Sequence, residues 1–191
     1  MSQDSDHYER IADSVSTPDP PPGARHKVVV VVSGSHLREI QDHARETYPA
    51  ECCGILVGRR RDEPIWVTAV HPAVNRRAHA AHDRYEIDSQ EILRIDHAAA
   101  DRGEEVVGFY HSHPDHPALP SPTDATQAWP AYIYLIAAVA AHEDGEVTAW
   151  TYDDQRQRFI EQPLRVRTQA PGAGAPSLQQ NIIPSAATRA S

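Results

Sequence analysis

Two short stretches decide the interpretation of this chain: His111-Ser112-His113-Pro114 and, after residues 115–120, Ser121-Pro122-Thr123-Asp124. The chain has 12 histidines among 191 residues, so a His-X-His pair alone is expected about 0.7 times by chance. Requiring an aspartate eleven positions after the second histidine and a serine three before that aspartate lowers the expectation to about 0.004. The order and spacing therefore indicate a functional site.

The local structure expected for these stretches brings their side chains together. Val106 to Tyr110 reads as a strand that continues into the histidines, and alternation along a strand places His111 and His113 on one face. Ser121 then fits a helix N-cap, with proline at the first helical position and Asp124 at the third. Two histidines and one carboxylate form a ligand set typical of catalytic zinc, with a fourth position left for water.

A purely structural explanation also fits the second stretch. A serine N-cap with an acidic residue three positions later is a capping box, which needs no metal. That explanation covers Ser121 and Asp124 but not two histidines on one face of a strand end. His116, in the loop between the two stretches, is a possible extra ligand, but a solvated loop histidine is the favoured interpretation. The same interpretation covers His79 and His82, which lie in a polar segment.

The pattern around the two stretches predicts an α/β (α+β) fold with a mixed central β-sheet flanked by two to three helices. Alternating or apolar runs predict strands, and periodic apolar residues predict helices near 35–48 and from Asp88 towards Gly103. The predicted strands are Val28–Val32, Cys52–Val57, Ile65–Val70, Arg84–Ile87, Val106–Tyr110, Ala131–Ala140 and Val147–Tyr152.

The length suits one domain with a proline-rich tail at residues 1–25, a core domain at 26–166, and an alanine-, proline- and glycine-rich tail at 167–191.

A net charge of −9 without a dense basic run argues against nucleic acid or an anionic membrane as the main partner. The N-terminus lacks a signal-like apolar region, and the apolar run Ala131–Ala141 is too short to cross a bilayer. We therefore expect a soluble, cytoplasmic protein.

The two cysteines, Cys52 and Cys53, are adjacent, which excludes a disulfide scaffold within the chain. A redox or soft-metal site is one explanation for them. Small buried residues at the start of an apolar strand are the favoured one.

A water activated by zinc needs a base that is not itself a ligand. Glu51, at the polar end of the apolar run Cys52–Val57, is a candidate for that base. A charged residue at the edge of a strand, without a catalytic role, explains the position of Glu51 equally well.

Taken together, Glu51 before an apolar strand with Gly54 and Gly58, then His-Ser-His-Pro and Ser-X-X-Asp, resemble the JAMM/MPN+ zinc metalloproteases over about residues 28–160. The resemblance implies the MPN/JAMM fold, which is cytidine-deaminase-like. It implies one Zn²⁺ ion per chain, a general base and a hydroxyl donor to the oxyanion. The residues assigned in this way are His111, His113 and Asp124 as zinc ligands, Glu51 as the base and Ser121 as the donor.

The resemblance also implies a substrate class. The family cleaves peptide or isopeptide bonds after the C-terminal Gly-Gly of ubiquitin-like proteins. Because no long insertion lies between Asp124 and Ala131, the chain is similar to small bacterial members of the CysO-cysteine peptidase type. These act on a ubiquitin-like sulfur-carrier protein, which is the partner we expect; a homodimer stays open.

Three other classes of protein fit the sequence less well. A non-catalytic binding scaffold of the MPN type usually lacks one of the metal-ligating residues. This chain has all of them, which disfavours that class. A RadC-like DNA-associated protein shares the His-X-His and distal aspartate pattern, but resembles His-Asn-His-Pro-Ser-Gly rather than the sequence from His111 to Asp115. A zinc deaminase needs a Pro-Cys-X-X-Cys pair, and Cys52-Cys53 lacks that spacing.

Overall fold

The computed structural model describes residues 27–60, 64–76, 85–141 and 143–167, and confirms a mixed α/β domain. Three helices and one large mixed sheet make up the described part of the chain. The elements are β1 (Val30–Ser33), α1 (Gly34–Thr47), β2 (Cys53–Arg59), β3 (Ile65–Ala73), α2 (Ser89–Ala100), β4 (Glu105–Pro114), α3 (Pro122–Gln127), β5 (Ile133–Ala140), β6 (Glu143–Asp153), β7 (Arg158–Gln162) and β8 (Leu164–Arg167).

The sheet has eight strands in the order β7-β6-β5-β4-β2-β3-β1-β8. Three pairs are parallel, namely β4 with β5, β1 with β3 and β1 with β8, and the others are antiparallel. Only Pro163 separates β7 from β8, although these strands form opposite edges of the sheet. The sheet must therefore curl until its two edges meet.

Helix α1 fills the concave side of this curled sheet. It contacts β1, β3, β4, β5 and β6, and buries Ile40 and Ala44 in the main core. Ser33 begins the helix, because its hydroxyl accepts the backbone N–H of His36 at 3.1 Å. The helix ends at Thr47, before Pro49, as the periodicity predicted.

Helix α2 covers the opposite face of the sheet. Asp88 caps its start by accepting the N–H of Gln90 at 3.0 Å, and Ile95 and Ala99 pack against Ile55 and Val57 of β2. The central strand β4 is thus covered on both faces. Its last residues lie beside the face of the sheet that carries α2.

Several elements differ from the sequence-based expectations. The predicted strand Arg84–Ile87 is wrong for residues 85–87, which belong to no strand; Arg84 lies outside the described residues. The short strands β7 and β8 were not predicted, because each has only four or five residues and carries little buried apolar surface.

Some predicted features lie outside the described residues. These are His79, His82 and both predicted tails, apart from Arg167 at the end of β8. The domain boundaries therefore stay a prediction. No helix within the described ranges has the length and apolar character to cross a bilayer.

At Gly54 in β2, next to the predicted site, the ring of Tyr110 packs directly against the backbone. A Cβ there would lie 2.1 Å from Cε1 of Tyr110 and 2.6 Å from the His71 carbonyl oxygen. Tyr110 is fully buried, and its hydroxyl lies 2.8 Å from Nδ1 of His43, so the ring has no room to move. A glycine is required at this position by packing.

We expect Gly54→Ala to lower the free energy of unfolding by about 3 kcal/mol, because the methyl group overpacks a buried site. The matched control is Gly34→Ala, where the nearest atoms to an added Cβ lie at 3.6 Å and 3.8 Å. The control should stay within about 0.5 kcal/mol of the parent chain. Urea unfolding of the metal-free proteins measures both values, and equal losses in the two variants would contradict this packing role.

Candidate metal centre

Strand β4 brings the two histidines of the motif together. Phe109, His111 and His113 alternate onto the face of the sheet that carries α2. The Nε2 atoms of His111 and His113 lie 3.0 Å apart, and the two residues are 1% and 8% exposed. The predicted arrangement of two same-face imidazoles is present.

Asp124 meets both imidazoles from the start of α3. Its Oδ1 lies 3.2 Å from Nε2 of His111, and its Oδ2 lies 3.5 Å from Nε2 of His113. Among the described residues, these three form the one group whose ligand atoms lie close enough for a shared metal ion, all within 4.8 Å of one another.

The capping box predicted at α3 is also present. The Ser121 hydroxyl accepts the Asp124 backbone N–H at 3.1 Å, and the Asp124 carboxylate accepts the Ser121 N–H at 2.6 Å. One carboxylate therefore caps a helix and faces two histidines. The structural and the metal interpretations are not exclusive.

The connection between β4 and α3 is held in place at several points. The Pro117 carbonyl accepts the Nδ1–H of His113 at 3.0 Å. The buried Ala118 offers its carbonyl to the hydroxyl of Thr148 at 2.5 Å, and Thr148 in turn accepts the indole N–H of Trp150. Strand β6 thus fixes the path that returns Asp124 to the histidines.

The electrostatics of the group favour the protonation states that a metal needs at two of its three ligands. Burial lowers the pKa of His111, which outweighs the opposite effect of Asp124. Burial on its own would raise the pKa of Asp124, but hydrogen bonds with His111 and His113 hold it well below its ordinary range. His111 is therefore held neutral and Asp124 ionised.

His113 behaves differently. Its burial lowers the pKa, but hydrogen bonds with Asp124 and the Pro117 carbonyl, together with the charges of Asp124 and Glu51, raise it overall. Because a carbonyl can only accept, Nδ1 carries the proton in neutral His113 and Nε2 keeps its lone pair. The donor set of two imidazole nitrogens and one carboxylate converging on one point fits a divalent cation such as zinc.

Glu51 is placed beside this group by the pairing of β2 with β4. Cys53 pairs with His111, and Cys52 exchanges two hydrogen bonds with Ser112: the Ser112 N–H donates to the Cys52 carbonyl at 3.1 Å, and the Cys52 N–H donates to the Ser112 hydroxyl at 2.9 Å. One residue earlier, Glu51 therefore lies alongside His113, and it is only 7% exposed.

Two residues at the site were missed by the sequence reasoning. Tyr85 stacks on His111, with ring centroids 4.7 Å apart and an interplanar angle of 24°. The carboxamide of Asn75 donates to the Glu51 carbonyl at 3.2 Å. The aromatic residue in the run Tyr85-Glu86-Ile87 was the available signal, but it was assigned to a strand; Asn75 carries no signal in the sequence.

The remaining sequence candidates are not members of the ligand group. His116 is exposed and lies outside the group of three. Cys52 and Cys53 are both free and buried, as the favoured explanation predicted. Burial raises the pKa of Cys52 to about 11 and that of Cys53 further, so both thiols stay protonated near neutral pH.

The fold and site together define a mixed α/β domain with a His-His-Asp metal-ligand group at the end of a central strand. Residues 33–153 match the family Prok-JAB, described as prokaryotic homologs of the JAB domain. The chain belongs to this family, which confirms the resemblance stated from the sequence.

Named relatives agree with that assignment. A desampylase of Haloferax volcanii is 42% identical over 130 residues, which cover 63% of this chain and 87% of that protein. A probable TtuB-protein conjugate cleaving protease of Thermus thermophilus is 33% identical over 108 residues, covering 56% of this chain and 68% of the relative. The CysO-cysteine peptidase of Mycobacterium tuberculosis is 35% identical over 101 residues, covering 52% and 66%.

Solved structures share the architecture. The solution structure of a Desulfitobacterium hafniense protein matches with a TM-score of 0.64 at 25% identity, covering 75% of this chain and 96% of that one. A solution structure from Salinibacter ruber matches with a TM-score of 0.55 at 35% identity, covering 80% and 99%.

Ser112 supports the site from the face opposite the histidines, and this generates a prediction. Ser112→Ala leaves the buried Cys52 N–H without its side-chain acceptor, which should cost about 1–3 kcal/mol of unfolding free energy. The control Ser89→Ala removes an exposed hydroxyl and should change stability by less than about 0.5 kcal/mol. Urea unfolding without metal compares the two, and a neutral Ser112→Ala would remove this supporting role.

Proposed function

We propose that this chain is a zinc-dependent peptidase that hydrolyses a peptide or isopeptide bond after the C-terminal Gly-Gly of a ubiquitin-like protein. The observation that carries the proposal is the convergence of His111, His113 and Asp124 within 4.8 Å, with Glu51 alongside on the neighbouring strand. Those three side chains would hold the ion. When bound, zinc lowers the pKa of a coordinated water towards neutrality and polarises the scissile carbonyl.

Glu51 takes the role of general base in this proposal. Its carboxylate lies alongside His113 and is not one of the three ligands, so it can accept a proton from the attacking water. The same carboxyl then delivers that proton to the leaving amine. The hydrogen bond from Asn75 to the Glu51 carbonyl holds the backbone at this position.

Ser121 is proposed to stabilise the oxyanion of the tetrahedral intermediate. A hydroxyl has one donor hydrogen and two lone pairs. In the capping box, Ser121 uses a lone pair to accept the Asp124 N–H, so the hydroxyl hydrogen can still be donated to a substrate oxygen. Removing one such donor typically costs about 3 kcal/mol of transition-state stabilisation.

The substrate class is proposed from the relatives. Their names describe a desampylase, a protease that cleaves TtuB–protein conjugates and a peptidase acting on CysO-cysteine. We propose that the partner of this chain is likewise a ubiquitin-like protein, of the sulfur-carrier type ending in Gly-Gly. Isopeptide-linked lysine and peptide-linked amino acid are the two leaving groups to compare.

The metal content of the protein tests the proposed ligand set. Purified protein should hold about one zinc ion per chain, and Asp124→Asn should weaken zinc binding by at least about 100-fold because a charged ligand is lost. Asparagine keeps the side-chain size and an oxygen that accepts the Ser121 N–H, so the start of α3 should persist. Metal analysis and competition with a chelating dye measure the effect.

Asp42→Asn, on the exposed surface of α1, is the control and should leave zinc binding unchanged. A wild-type protein that folds normally yet binds no zinc would favour the non-catalytic scaffold instead. Equal zinc affinity in Asp124→Asn and wild type would remove Asp124 from the ligand set.

The amide variant of Glu51 tests the proposed base. Glu51→Gln should keep the zinc but lower kcat by at least about 100-fold, because the amide cannot accept the water proton. The assay follows cleavage of a ubiquitin-like protein whose Gly-Gly is joined either to a lysine side chain or to a single amino acid. Glu46→Gln, an exposed carboxylate on α1, is the matched control and should cleave normally.

Full activity of Glu51→Gln would exclude Glu51 as the base while leaving the zinc site intact. Zinc-loaded wild-type protein that cleaves neither substrate would overturn the proposed activity.

A further inference from the structure

The two histidines of the metal centre are held in different ways. His113 has its Nδ1–H fixed by the Pro117 carbonyl at 3.0 Å. His111 is 1% exposed, yet within the described part of the chain its Nδ1 has no hydrogen-bond partner. Histidines that bind metals usually donate this second ring N–H to an oxygen, which fixes the orientation of the ring.

Tyr85 instead contacts the face of the His111 ring. Its ring lies nearly parallel to that of His111, with centroids 4.7 Å apart and an angle of 24°. Stacking at this separation is a favourable aromatic geometry and resists rotation of either ring about its side-chain bonds. Burial is the main cause that raises the pKa of Tyr85, and nearby charges, including those of Asp124 and Glu51, raise it further. The phenol therefore stays neutral beside the site.

The segment that carries Tyr85 is docked by its own set of contacts. The Glu86 N–H donates to the Asn75 side-chain oxygen at 3.2 Å, and the Arg76 N–H donates to the Glu86 carbonyl at 3.0 Å. Ile87 packs against the α2-side core, and Asp88 forms an ion pair with Arg76. The three residues that follow Tyr85 are therefore held in place by Asn75, Arg76 and the α2-side core.

Asn75 connects this segment to the other functional side of the site. The same carboxamide that accepts the Glu86 N–H donates to the Glu51 carbonyl at 3.2 Å. The position of Tyr85 is thus tied to the strand end that carries the proposed base.

We infer that Tyr85 is a positioning residue of the metal centre, which orients the imidazole of His111 by stacking in place of a hydrogen bond to Nδ1. This inference rests on the proposed function in so far as His111 binds zinc. It requires an aromatic ring at position 85 and does not require the hydroxyl.

The test compares zinc affinity across three variants, measured by competition with a chelating dye. Tyr85→Leu should weaken zinc binding about 10-fold, the lower range for losing a group that orients a ligand. Tyr85→Phe should stay within about twofold of wild type. Tyr132→Leu removes another half-buried tyrosine, one whose ring contacts Phe109 at 5.1 Å, and should bind zinc like wild type.

The visible absorption of the cobalt-substituted proteins gives a second readout. Tyr85→Leu should shift the spectrum, because one imidazole becomes free to rotate, while Tyr85→Phe should not. Thermal unfolding of the metal-free proteins checks that each variant folds. If Tyr85→Leu does not fold, Tyr85→Met serves the same comparison.

The outcomes separate the inference from the proposed function. Wild-type protein that binds zinc, with Tyr85→Leu of equal affinity, would overturn the inference alone. Zinc binding by Tyr85→Phe as weak as that of Tyr85→Leu would also overturn it, because the hydroxyl and not the stacked ring would then matter. Wild-type protein that binds no zinc would overturn both.

Discussion

The antiparallel pairing of β2 with β4 is the constraint on which the candidate metal centre depends. The histidines belong to one strand and the proposed base precedes the other, so their relation is set by a register that buried backbone groups enforce. Ser112 fixes that register at the end of the ladder, because both its N–H and its hydroxyl engage Cys52. A slip by one residue would turn the histidines to the opposite face and separate them from Asp124.

The site combines structural and chemical roles in the same side chains. The Asp124 carboxylate caps α3 and faces two imidazoles, so the orientation of the helix and the geometry of the ligand group are linked. The carbonyl of Pro117 both belongs to the connecting loop and sets the tautomer of His113. Such sharing explains how a helix as short as Pro122–Gln127 can present a ligand reliably.

The parts of this site that sequence could predict are those that follow from local geometry. Strand alternation placed the histidines, and the N-cap pattern placed Ser121 and Asp124, because each depends on residues within one element. The family resemblance was needed to choose Glu51, whose proximity depends on pairing between strands distant in sequence. Tyr85 was misassigned for a related reason: the segment pairs with no strand, and its partners are a histidine ring, the Asn75 carboxamide and the Arg76 backbone.

The closure of the sheet by β7, Pro163 and β8 has a consequence for how the domain is made. Strand β1 pairs with β8, and Val28 donates to the side chain of Gln162, which is 134 residues further along the chain. During synthesis, the outer edge of β1 therefore stays uncovered until nearly the whole domain has been made. Folding of this chain on the ribosome should thus finish only after the last strand has emerged, because contacts so far apart in sequence form late.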